Sequence, residues 1–396
     1  VSKLADIFYK PISGEWGDED INGIGIPVLR TTNFTNEGVI DYSNVVTRLI
    51  NSKNIKDKFL VQGDIIIEKS GGSPNQPVGR VVFFEGEEKK YLFNNFTSVL
   101  RLKDKNNNYP KYVFYYLFAN YRSGKTLRYQ NKTTGISNFR LEQYIAQTEI
   151  NLPPLENQKQ IAKTLDTVSE LIAMRKQQLT ELDNLTKAVF YDMFGDPVKN
   201  NKGWKMVQLS DCCHVNPKKS EIDYFTDDLE VSFISMADVS VNGEIDTSDI
   251  RKYKDVKKGF TYFYENDVLF AKITPCMENG KGAIARGLKN NIGFGSTEFH
   301  VLRPKEGISN SEWLYHLTIL PIFRKTAEKN MKGSAGQKRV PASFFDKFLV
   351  PLPPIELQNK FADIIKPINE QKLLVRKAIE ETQLLFDSLM NQYFSE

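Results

Sequence analysis

Two sets of polar and basic residues in this chain have the types that bind nucleic acid. The first is Lys69, Ser70, Arg80, Arg128, Gln130, Lys132, Thr133, Thr134, Ser137, Asn138 and Arg140. The second is Lys272, Thr274, Asn279, Lys281, Arg286, Lys329, Lys332, Ser334, Gln337, Lys338 and Arg339. Lys and Arg neutralise phosphates, which supplies affinity without sequence information. Arg, Lys, Asn and Gln can also bond in pairs to purine edges in the major groove, which supplies sequence information. The densest stretch runs from Lys329 to Arg339, is loosened by glycine, and lies just before an expected strand. Its counterpart is Tyr129 to Asn138. A solvated surface loop explains any one of these residues alone. The matched placement of the two loops favours function.

Bond-making chemistry is hard to find. No glycine-rich loop ending in Lys-Ser/Thr follows a strand, so there is no phosphate cradle of the nucleotide-hydrolase kind. Gly71 to Ser73 reads as a turn. The histidines are His214, His300 and His316, none with a partner at metal-ligand spacing, and they read as structural. Glu68-Lys69 resembles a fragment of a nuclease centre, but its spaced acidic partner is missing and the second half has Ala271-Lys272 instead. A cofactor fingerprint for methyl transfer is absent. The residues therefore point to a non-catalytic chain with no cofactor of its own.

The elements that position the two sets come in duplicate. Leu152-Pro-Pro-Leu-Glu-Asn-Gln158 is answered by Leu352-Pro-Pro-Ile-Glu-Leu-Gln358. Each copy opens a stripe with alternating steps of four and three, the period of knobs-into-holes packing. The first stripe is Ile161, Leu165, Val168, Ile172, Arg175, Leu179, Leu182, Thr186, Val189 and Met193. The second is Phe361, Ile365, Ile368, Lys372, Val375, Ile379, Thr382, Phe386, Leu389 and Tyr393. Each helix is expected to run for about 35 residues, roughly 50 Å. Such helices need partners, and each copy is the nearest candidate for the other. Arg175 and Lys372 interrupt the stripes at different places, either to fix register or to reach out at the seam edge. Gly195-Asp-Pro197 should stop the first helix.

Upstream of each helix the halves correspond more loosely. Gly63 to Lys69 matches Asn266 to Lys272, Phe96 to Arg101 matches Phe299 to Arg303, and the turn at Gly38 matches that at Gly243. These blocks are rich in Val, Ile, Phe and Tyr and broken by Gly and Asn, the signature of strands joined by turns. Shorter helices are expected over Lys111–Asn120 and Ser311–Lys325. The fold class is α+β: two similar mainly-β domains with some helix, 1–151 and 198–351, each followed by a long helical segment, 152–197 and 352–396.

The 396 residues suffice for two or three domains with their own cores. A net charge of +4 permits nucleic acid without requiring it, because a local basic face matters more than the sum. Cys212, Cys213 and Cys276 are odd in number and irregularly spaced, which argues against a disulfide scaffold and fits a reducing cytoplasm. No signal segment or membrane span is expected.

Taken together, the doubled LPPxExQ motif, the following helices, the Phe-Ala-Lys-Ile core of Asp267–Ile273 and the block Gly336–Val340 resemble the specificity subunit of Type I restriction-modification systems. The likeness covers essentially the whole chain. The first half departs from it with Ile67-Glu-Lys-Ser70 and Thr134-Gly-Ile-Ser137. The resemblance implies two target recognition domains, each reading one half of an asymmetric, bipartite sequence in double-stranded DNA. It implies that the long helices pack as an antiparallel coiled coil and act as a spacer. It further implies two methyltransferase subunits, which bind S-adenosylmethionine and methylate adenine, and a further pair of restriction subunits using ATP and Mg2+. A coiled-coil adaptor that binds protein without touching DNA is the competing expectation.

Overall fold

The computed structural model describes residues 1–51, 55–73, 75–133, 136–222, 224–334 and 336–395. Thr134, and the side chains of Lys132 and Thr133, lie outside the described residues. The chain divides into two compact units, one of residues 1–176 with 377–396 and the other of residues 177–376.

Unit 1 is built on the four-stranded antiparallel sheet Ile12–Ser13, Thr97–Leu100, Ile65–Glu68 and Val81–Phe83, in that spatial order. The β-branched run Ile65-Ile66-Ile67 is buried on both faces. Its alternation sends Ile65 and Ile67 into a core with Leu100 and Val113, and Ile66 into another with Leu29, Val82 and Val99. Each such side chain contributes about 1.5–3 kcal/mol on burial. A second sheet orders Asp18–Glu19, Val46–Leu49, Ile26–Leu29 and Leu92–Phe93, the last pair parallel.

Unit 2 repeats the plan. Its central sheet orders Cys213–Val215, Phe299–Pro304, Val268–Ala271 and Gly282–Ile284. Val268 and Phe270 enter one core and Leu269 and Ala271 the other. Its second sheet orders Ile250–Lys252, Glu230–Ile234, Ile292–Gly295 and Thr261–Tyr264.

Two polar devices recur, one copy per unit. Arg101 donates from Nε and NH2 to the two oxygens of Asp64 at 2.8 and 2.7 Å, and Arg303 does the same to Asp267 at 2.9 and 2.8 Å. The glutamine that closes the LPPxExQ motif is the second device. Gln158 accepts from the Tyr109 N–H at 2.9 Å and donates to the Asn107 and Pro153 carbonyls at 3.0 and 2.8 Å. Gln358 accepts from the Asn310 N–H at 3.0 Å and donates to the Ile308 and Pro353 carbonyls, both at 2.9 Å. Both glutamines are buried. The motif thus ties the start of each long helix to the loop before a shorter one.

Those shorter helices are Pro110–Arg122 and Ser311–Ile319. The expected single helix through Lys325 is broken at Leu320, whose backbone is extended (φ −60°, ψ 139°), and a separate helix runs over Pro321–Lys329. Pro321 causes the break, because a proline pushes the residue before it out of the helical region.

The long helices are Leu155–Phe194 and Ile355–Phe394, 40 residues each and so longer than expected. In unit 1, Leu165, Val168 and Ile172 share a core with Phe386, Met390 and Phe394, and Arg175 lies against Thr382, so the two stretches run antiparallel. In unit 2, Phe190 and Phe194 meet Phe361 edge-to-face while Thr186 meets Lys372, again antiparallel. No position of either stripe is exposed. Phe190, Phe194, Met390 and Phe394, outside the stripes, are buried as well. In each unit the helices pack on their domain as well as on each other.

The polar interruptions are partnered. Arg175 donates to the Ala378 carbonyl at 2.6 Å and to the Thr382 hydroxyl. Lys372 donates to Thr186 at 3.0 Å and pairs with Asp183 at 2.8 Å, its side chain only 8% exposed. The repeat-equivalent positions in the other unit are apolar: Val375 with Leu182, and Ile172 with Phe386. Polar therefore meets polar only when the two unlike helices pair in this register, which supports register fixing over a seam-edge placement. Among the described residues no helix is long and apolar enough to cross a membrane.

Candidate nucleic-acid interface

In both units the second candidate loop folds back as a hairpin onto the end of a central strand. In unit 1, Gln130–Thr133 pairs with Ile136–Phe139, and Ser70–Gly71 adds a third strand, so Asn138 sits between Asn131 and Ser70. In unit 2, Lys332 and Arg339 exchange backbone hydrogen bonds at 2.9 and 2.8 Å, and Arg339 also bridges to Ile273. The anchoring is equivalent. The Lys69 N–H donates to the Phe96 carbonyl at 2.8 Å and its carbonyl accepts from the Phe139 N–H at 2.7 Å. The Lys272 N–H donates to the Glu298 carbonyl and its carbonyl accepts from the Val340 N–H, both at 2.9 Å. Gly333 has φ +124°, and a Cβ there would lie 2.7 Å from the Gln337 carbonyl, so the turn requires glycine.

The side chains on the two hairpins differ. In unit 1, the Ser70 hydroxyl donates to Asn138 Oδ1 at 2.8 Å. Lys69 donates to the Ser13 hydroxyl at 3.2 Å, and burial, with Lys58 nearby, pushes its ammonium pKa down. Gln130 is half-buried and donates to the Val78 carbonyl at 3.2 Å, while Arg140 is exposed. In unit 2, Lys329, Lys332, Gln337 and Lys338 are exposed, as is Asn279. Thr274 bonds Glu278 at 2.9 Å. Lys272 is half-buried, and burial, followed by the charge of Arg339, lowers its pKa against the opposing pull of Glu298.

Arg80 and Lys281 are bonded to their own fold. They occupy equivalent positions before the last strand of each central sheet. Arg80 is buried, pairs with Glu68 at 2.8 Å, and donates to the Phe34 and Thr31 carbonyls at 3.3 and 3.1 Å. Lys281 donates to the Met236 carbonyl at 2.9 Å. Both reach across to the equivalent turn; Arg80 is buried there, while Lys281 stays half-buried with one N–H given to that turn. Glu68, whose pKa burial raises, is spent on Arg80 rather than on catalysis. Arg286 is paired with Glu312 at 2.6 Å.

Two residues missed in the sequence flank the hairpins at one equivalent position. They are Phe96, 42% exposed, and Glu298, which forms a bidentate pair with Arg339. The matched blocks Phe96–Arg101 and Phe299–Arg303 already carried the signal, one residue out of register.

His300 supports the unit 2 hairpin from beneath. Its Nε2 donates to the Val340 carbonyl at 2.8 Å, so Nδ1 is the acceptor for the Asn216 amide at 3.0 Å. Burial pushes its pKa down to about 4. His316, buried against Phe361, is pushed down to about 3 by burial and by Lys372 and Arg286. Both values lie below the 6.5 of an unfolded histidine, so acid protonates the unfolded chain first. The stabilisation is complete above pH 6.5 and is lost as pH falls through about 4. At pH 5 the two sites together cost unit 2 about 4 kcal/mol. All three histidines lie in unit 2. Hydrogen exchange should therefore show strands 268–271 and 299–304 losing protection between pH 7 and pH 5, with the unit 1 strands much less affected. Equal loss in both units would contradict this assignment.

Among the described residues no group of three or more His, Cys, Asp or Glu could hold a metal ion. The geometry is that of two similarly built surfaces carrying different side chains.

Comparison with known proteins agrees with that reading. Residues 1–184 and 201–382 match the family described as the Type I restriction modification DNA specificity domain, and the chain belongs to that family. It is 46% identical over 167 residues to the Type I restriction enzyme EcoAI specificity subunit of Escherichia coli, covering 41% of this chain and 28% of that protein. It is 41% identical over 160 residues to the EcoEI specificity subunit of the same species, covering 40% of this chain and 26% of that one. The matches thus span just over a quarter of those two relatives. The crystal structure of the Type I restriction-modification S subunit from M. genitalium superposes with a TM-score of 0.56 at 14% identity, covering 99% of this chain and 95% of that one, which establishes a shared fold.

Proposed function

We propose that this chain is the DNA-reading specificity subunit of a Type I restriction-modification complex. Segments 1–151 and 198–351 act as target recognition domains, and 152–197 and 352–396 as spacer helices. Each domain reads one half of a bipartite, asymmetric target. One observation carries this reading: the same anchored hairpin occurs in both units with unlike polar side chains upon it. Equal scaffolds with unequal side chains suit the recognition of two unrelated half-sites.

The partners are two copies of an adenine methyltransferase subunit, which bring S-adenosylmethionine, with restriction subunits bringing ATP and Mg2+ to the same assembly. Exposed apolar side chains on the long helices, among them the repeat-related pairs Met174 with Leu374 and Leu185 with Leu385, support two docking surfaces. Met174, Leu384 and Leu385 are exposed in unit 1, and Leu374, Leu373 and Leu185 in unit 2. The free thiols Cys212, Cys213 and Cys276 suit the cytoplasm, where such a complex meets DNA.

Salt-dependent binding tests the DNA assignment. Replacing Lys329, Lys332 and Lys338 with alanine in the assembled complex should weaken binding to every duplex similarly. The slope of log K against log salt should fall by about 0.9 for each lysine that meets a phosphate. An unchanged slope would remove this hairpin from the interface. Absence of salt-dependent DNA binding by the intact complex would favour a protein-binding adaptor instead.

A further inference from the structure

We propose that Arg339, oriented by Glu298, reads a guanine in the half-site contacted by unit 2. This inference rests on the DNA-reading function proposed above and names the base and the residues.

The guanidinium is held on one edge. Arg339 Nε donates to Glu298 Oε2 at 2.9 Å and Oε1 at 3.2 Å, and NH2 donates to Oε1 at 2.8 Å. NH1 donates to the Gln337 carbonyl at 3.2 Å. A guanidinium carries five N–H groups. These contacts use one each on Nε, NH2 and NH1. The contacts among the described residues leave one N–H on Nη1 and one on Nη2, and a guanine can accept two such N–H groups with O6 and N7. The Arg339 side chain is 42% exposed and sits between the exposed Lys338 and Lys332 of the hairpin.

The presence of Glu298 itself calls for explanation. A carboxylate among lysines repels the phosphates that those lysines would attract. An ion pair as exposed as this one contributes little to stability. What a bidentate carboxylate does supply is a fixed plane and direction for the guanidinium, which lowers the ordering cost of a directed contact. Both Glu298 oxygens bond Arg339, so Glu298 acts here as a positioning residue. Unit 1 has Phe96 and Asn138 at the equivalent positions, so this device belongs to unit 2 alone.

The experiment co-expresses the full chain with its methyltransferase subunit and maps methylated adenines across the host genome. Wild type should give a bipartite motif with a fixed G·C pair in one half-site. R339Q should relax that pair alone, lowering discrimination there about ten- to a hundredfold while other positions stay fixed. E298Q, which keeps the side-chain shape, should relax the same pair to a smaller extent. R339K should behave like R339Q, because an ammonium cannot make the planar double contact. The hairpin is held by backbone bonds, so these variants should fold, and E298Q supplies the test if R339Q does not. An unchanged motif in R339Q, or a uniform loss at all positions, would overturn the proposal while leaving DNA reading intact. A wild-type complex that methylates without any motif would overturn DNA reading and this inference with it.

Discussion

Replacing Asp64 with alanine is expected to destabilise unit 1 by about 3–5 kcal/mol, the cost of stranding one partner of a buried ion pair. The Asp64 side chain is 0% exposed and that of Arg101 23% exposed. The carboxylate receives two hydrogen bonds from Arg101 and one from the Val61 N–H at 3.0 Å. Without it, among the described residues the guanidinium keeps the Phe59 carbonyl at 2.9 Å. Asp64 also leads directly into Ile65–Glu68, the strand both cores share, so the loss falls on the centre of the domain. D64N keeps the shape and one acceptor and should cost roughly half as much. By contrast, breaking the exposed Lys90–Glu87 pair should leave stability essentially unchanged. Urea unfolding followed by hydrogen exchange at strand 65–68 separates these cases. A D64A cost below 1 kcal/mol would show that the Asp–Arg pair is not a keystone of the repeat.

The second large effect lies at Gln358. Substituting leucine, similar in size, removes three hydrogen bonds, stranding the buried Pro353 carbonyl and the part-buried Asn310 N–H and Ile308 carbonyl. At about 1 kcal/mol or more for each group stranded, the expected cost is about 3 kcal/mol. For a unit of 200 residues that lowers the melting temperature by roughly 6–12 °C. The loss should appear first as faster exchange at residues 308–310 and in the first turn of the helix, because the clamp joins those two places. Q158L should act equivalently in unit 1. A Q358L chain that melts within a degree of wild type would mean that the motif's glutamine is not what secures the helix.

Much of this architecture was readable from the residues. The four-three period of the stripes and the doubled motif announce two long helices, and the Val- and Ile-rich blocks announce the strands of each half. The reasons behind the motifs were not readable. Gln158 and Gln358 bind backbone groups about 50 positions away, contacts that no local pattern encodes. The inward turn of Arg80 and Lys281 was hidden for a related reason. A basic side chain beside a strand reads the same whether it meets a phosphate or a carbonyl of its own fold. Nothing local marks Glu298, because a carboxylate does not itself bind phosphate and its pairing with Arg339 spans 41 positions. The helix break at Leu320 follows from Pro321, whose effect the apolar periodicity on either side masks.

The central claim is that the two domains read DNA separately. Its most direct test exchanges residues 198–351 for the corresponding segment of another family member, in a chain co-expressed with its methyltransferase subunit, and maps methylated adenines before and after. The expected result is a bipartite motif in which one half changes and the other is retained base for base. A motif that survives the exchange unaltered, or methylation with no motif in either complex, would contradict it.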